Sequence, residues 1–224
     1  MNLFKALSYK EWIKTRRIIG MLLMLTIGVL AYSFIEINHN IRLQGAVDEW
    51  YLYLFMDGGL PSVTQYLPLM TGVILALVQF VPEMVNKRLK LTLHLPAEEN
   101  SIIACMLQYG YIVLLVLFGI TIAAYVVGLS FTFPFEITGR MLARLTPAFV
   151  AGLAAYGFTA WICFEPQWKQ RVLNSFVAVG LISVLFVSVQ SAVYMHFALG
   201  LIILLIASFA FPFFSVLRFK HGVL

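Results

Sequence analysis

Of the 224 residues, 62% are apolar and 11% charged, with a mean hydropathy of +0.93; soluble domains carry about a quarter charged residues, so the composition excludes one and specifies an integral membrane protein. The net charge of +5, which in a soluble chain would suggest nucleic acid, is accounted for by cationic loops at a membrane surface, and no nucleic-acid partner is expected. The two cysteines, Cys105 and Cys163, fall inside apolar runs and are too few for a metal quartet or a disulfide framework.

The first seventeen residues, MNLFKALSYKEWIKTRR, predict a helix on the membrane surface. Tyr9 and Trp12 suit the headgroup layer, and the lysine stems lie on apolar surface while their ammonium groups reach water. Leu3 and Leu7 share a face with Lys10 and Lys14, so the amphipathic pattern is incomplete, and a plain topology anchor explains the same residues.

A spanning helix needs about 20 mostly apolar residues. Six stretches qualify, roughly 18–37, 64–82, 102–129, 146–164, 172–190 and 195–216. The first is longer than a signal-peptide core of about 7–15 residues and is followed by no small-x-small cleavage site, so it is expected to remain as a span. The last two are divided only by residues 191–194, which predicts a tight outer turn. Residues 1–224 thus read as a single all-α transmembrane domain.

Between the first two spans, the aromatic run from Trp50 to Met56 is too short to cross and predicts an interfacial belt. Asp57, Gly58, Gly59 and Pro61 then mark a turn. After the third span, EITGRMLARLT places Ile137, Met141 and Leu145 at every fourth position, the pattern of a short helix lying on the outer surface. The fourth span is rich in small residues. Ala148 with Gly152, and Ala151 with Ala155, form small-xxx-small pairs that let another helix approach closely, either in this chain or in a partner.

Cations cluster before span one, between spans two and three, after span four and at the C terminus. These positions hold 12 of the 15 Lys and Arg, leaving Arg42, Arg140 and Arg144 on the other side. The positive-inside rule therefore places both termini in the cytoplasm. No Asp, Glu, Lys or Arg falls in the middle of a span, so the sequence lacks the midplane ionisable group that ion-coupled transporters use. No HExxH, GxSxG or GxxxxGK[ST] pattern is present, and His39, His94, His196 and His221 do not share metal-ligand spacing. Ser175, Ser183, Ser188 and Ser208 fit backbone-bonded packing better than nucleophilic roles. Neither a catalytic site nor a cofactor is expected in this chain, and uphill transport would draw its energy from another polypeptide.

The charged island between spans two and three, PEMVNKRLKLTLHLPAEENS over residues 82–101, sets Lys87, Arg88 and Lys90 among Glu83, Glu98 and Glu99. Glu83 and Lys87 are spaced i,i+4, and Pro96 closes the helical stretch. These residues fit a surface helix presented to a partner and a simple positive-inside loop equally well.

A YKEW stretch near the N terminus, six spans with both ends inside, and the pattern E-x3-K-R-x-K-x4-LP between spans two and three together resemble the permease subunit of ABC-2 type ABC transporters. The resemblance implies a cytoplasmic coupling helix within residues 83–100, formed by Glu83, Asn86, Lys87, Arg88, Leu91, Leu93, His94, Leu95 and Pro96, which would dock on an ATPase. It likewise implies an elbow-like interfacial helix containing Lys10, Glu11 and Trp12. Two copies of an ABC ATPase subunit carrying ATP and Mg, a second permease that is identical or paralogous, and a bacterial-type inner membrane follow from it as expectations. The Gly-Thr step common in the family after the basic cluster is replaced here by Leu91 and Thr92. The short 191–194 link leaves no room for re-entrant outer helices. A non-transporting scaffold or immunity-type protein, and then an intramembrane hydrolase, remain the alternative readings.

Overall fold

Backbone groups in hydrocarbon have no water to bond, so an apolar chain satisfies them by forming helices. The computed structural model describes residues 3–55, 60–85, 98–187 and 197–220 and is helical, with no strand among the described residues. The helices are α1 (Leu3–Gln44), α2 (Ala46–Phe55), α3 (Ser62–Val85), α4 (Glu99–Ser130), α5 (Phe135–Phe164), α6 (Trp168–Ser183), which runs into a 3-10 turn at Val184–Phe186, and α7 (Ala198–Lys220). All except α2 are long and apolar enough to cross a membrane, α6 together with its turn, which makes six candidate spans. They alternate in direction, so both described chain ends lie at one end of the bundle, called the base here, with α2 at the opposite end, the apex.

The N-terminal segment is not a separate interfacial helix. It continues into the first span as the 42-residue α1, about 63 Å long against a hydrocarbon core of about 30 Å. No proline interrupts the junction at Lys14–Ile18, and the basal turns have their own packing face: Leu7, Glu11 and Thr15, four residues apart, are all buried. At its other end α1 stops at Gly45, whose φ of 90° lies in the left-handed region that glycine occupies without a Cβ penalty. Its N–H closes on the Ile41 carbonyl at 3.0 Å.

The expected outer surface helix is likewise absorbed into a span. Ile137, Met141 and Leu145 lie in the first turns of α5 and are buried with Leu30, Ile37, Tyr53, Tyr125 and Leu129. Their four-residue repeat faces α1, α2 and α4 rather than lipid. Pro147 sits inside the same helix, where it removes one backbone bond that neighbouring packing offsets.

α5 is the hub. Its apolar stretch is 72% buried, against 17% to 44% in the other five spans. Its small residues permit this. A Cβ on Gly152 would meet the Pro68 carbonyl of α3, one on Gly72 would land on the Gly152 carbonyl, and one on Gly157 would meet the backbone of Ser208 in α7. Ala151 is buried against Leu185 and Leu201, and Ala148 and Ala155 are also buried. The small-residue stripe thus serves helices of the same chain.

Candidate functional site: a buried ion-pair cluster at the base

Glu83 lies in the last turn of α3, where a carboxylate faces the negative end of the helix dipole and no basic residue of α3 offsets it. α1 supplies the compensation. Lys14 Nζ stands 2.9 Å from Glu83 Oε1, and Lys10 Nζ stands 3.1 Å from the same oxygen and 3.2 Å from Oε2. Lys14 also contacts Glu11 Oε2 at 2.7 Å, one turn away on its own helix. Glu11 and Glu83 are 0% and 1% exposed, so one lysine bridges two carboxylates withdrawn from water. The Thr15 hydroxyl, next on the same face, shares a 2.7 Å hydrogen bond with Tyr109 of α4. The cluster therefore fastens the basal third of α1 to the ends of α3 and α4.

A second buried carboxylate lies at the base. Glu165 caps the C terminus of α5, where Pro166 stops the helix. Its Oε2 accepts a 2.6 Å bond from Ser215 and lies 3.6 Å from Arg218, both on α7. Arg171 of α6 donates to the Glu165 backbone carbonyl at 2.7 Å, satisfying one of the carbonyls left open at a helix end. Both described chain ends are thus held at the base by a buried glutamate.

Several other buried polar groups are tied down within the bundle. Gln79 donates to the Met106 carbonyl at 2.9 Å and accepts from Tyr156 at 2.8 Å, linking α3, α4 and α5. Towards the apex, Ser33, Thr64 and Tyr125 form a closed triangle of hydroxyls at 2.8 to 3.1 Å. Ser175, Ser183 and Ser208 bond backbone carbonyls three or four residues earlier. Gln79 therefore reads as a packing residue, whereas Gln108 and Ser183 are exposed.

Of the residues assigned to ATPase coupling, Glu83 joins the basal cluster, and Asn86, Lys87, Arg88, Leu91, Leu93, His94, Leu95 and Pro96 lie outside the described residues. Of the elbow residues, Lys10 and Glu11 meet at the cluster, while Trp12 faces outward, 47% exposed. His39 is exposed; His94, His196 and His221 fall outside the described residues. Sequence reasoning missed the bridge from Lys14 to Glu83 across 69 positions and the Glu165 cluster. The available signals were an acidic residue alone at the end of an apolar helix and a Glu-Pro step after the most small-residue-rich span. No protein-family model, curated protein or solved structure matches the chain.

Proposed function

We propose that the chain is the membrane-spanning permease subunit of an ATP-driven transporter of the ABC-2 type, acting as an exporter with two copies of a separate ATPase and a second permease. The observation that carries this reading is the fastening of Glu83. It is the last acidic residue before the basic stretch at Lys87, Arg88 and Lys90, and Lys10 and Lys14 hold it from α1. A force applied to that stretch would reach α3 through the chain and α1 through the ion pairs. Two spans would move together.

The distribution of Lys and Arg supports a cytoplasmic base, where an ATPase would meet the island. ATP-driven closure of the partner would then bias the bundle between inward- and outward-facing states, because only a differential interaction with the two states can shift their populations. Its catalytic residues, ATP and Mg would reside on that partner. Triple substitution of Lys87, Arg88 and Leu93 by alanine should release the ATPase that copurifies with the wild-type chain in mild detergent. Undiminished recovery with the variant would remove the island from coupling.

A further inference from the structure

The basal cluster sets two carboxylates against two ammonium groups, and burial divides them unequally. Lys10 and Lys14 keep 39% and 17% of their side chains in contact with solvent, whereas Glu83 and Glu11 keep 1% and 0%. The charges withdrawn from water at the greater cost are therefore the anions. The two are also unequally served. Glu83 receives Lys14 on Oε1 and Lys10 on both oxygens. Glu11 has only the ammonium it shares with Glu83, on Oε2, and its Oε1 has no hydrogen-bond partner. A buried carboxylate oxygen without a donor is an exception that requires a cause. From this asymmetry we infer that Glu11 is a proton-binding site, and that proton uptake there on acidification passes Lys14 wholly to Glu83 and tightens the contact between α1 and α3.

The surroundings select Glu11 over Glu83. Among the described residues, the titratable groups near enough to interact with its charge are Lys10 and Lys14 on α1, Glu83 on α3, Tyr109 on α4 and Tyr156 on α5. The tyrosines carry no charge near neutrality, and the Glu83 carboxylate opposes a second negative charge beside it. Only the two lysines favour ionised Glu11, and both also serve Glu83. A proton on Oε1 fills the open position, and Ser8 Oγ, one turn earlier on the same helix and also buried without a partner, stands as an acceptor for it. The positive charge then in excess rests on the ammonium groups, which reach water. Separating α1 from α3 would hydrate Glu11 and return the proton to solvent. The packed base thus holds one more proton than the separated one, and falling pH favours packing.

Chemical denaturation of the full chain in detergent, from about pH 8 to about pH 5 and so above the ordinary carboxylate range, tests this. The wild-type midpoint should rise as pH falls. Glu11→Gln, whose amide has the shape of the neutral acid, should fold and should lose that rise. Infrared difference spectra between the two pH values read the proton directly: the wild type should gain a protonated-carboxyl C=O band that is missing from Glu11→Gln. A wild-type midpoint that stays level or falls would overturn the inference, as would a rise or a band that survives unchanged in Glu11→Gln. Failure of Glu11→Gln to fold at any pH would overturn it too, because the amide stands in for the protonated side chain. None of these results depends on whether an ATPase binds the base.

Discussion

Lys14 is the residue on which the base depends. With 17% of its side chain exposed, it faces two carboxylates that are 0% and 1% exposed, and removing it takes the ion pair from Glu11 and leaves Glu83 to Lys10 alone. Breaking a buried pair in this way costs about 3–5 kcal/mol, so Lys14→Ala should lower unfolding stability in detergent by that order. Lys10, 39% exposed on the same carboxylate, is screened by solvent, and Lys10→Ala should cost about 1 kcal/mol or less. Equal losses from the two substitutions, measured by chemical denaturation, would contradict the bridging role. Ser215→Ala tests the other carboxylate: the loss of its 2.6 Å bond should cost about 1–3 kcal/mol, the usual penalty for an abandoned buried polar group.

At the scale of elements, α5 sets the geometry through its glycines. Gly152→Leu drives a side chain into the α3 backbone at Pro68, and overpacking of this kind costs about 1–3 kcal/mol, more when backbone must move. Gly180→Leu on α6 has open space around its Cβ and should be close to neutral. Comparing the melting temperatures of the two variants separates tight helix contact from a general intolerance of leucine in place of glycine. The small-xxx-small spacing made close approach by some helix legible in the sequence. It did not reveal that α3 and α7 of the same chain make that approach, because spacing along one helix carries no information about its neighbour. Spans were legible to within a few residues in their apolar centres, since hydropathy reports the hydrocarbon layer. Their ends were not: the basal turns of α1 and the first turns of α5 are polar enough to resemble surface helices, yet they bury Leu7, Ile137, Met141 and Leu145 against other helices.

Over the whole molecule, six antiparallel candidate spans bring both described chain ends to one base, and each is tied there by a buried glutamate. Composition makes the membrane class plain, and charge bias makes the sidedness a prediction. The ion pairs required the fold, because Lys14 and Glu83 lie 69 positions apart and share a site only once α1 and α3 have packed. In the proposed function, a force on the island between α3 and α4 would pass to two spans through that pair. The most direct test is purification of the native assembly from its own membrane into lipid nanodiscs, with its mass and ATP hydrolysis measured on the same particles. The account predicts two permease chains, this one with an identical or paralogous second, bound to two copies of an ATP-hydrolysing subunit. An intact assembly with no nucleotide-hydrolysing subunit and no ATPase activity would contradict it.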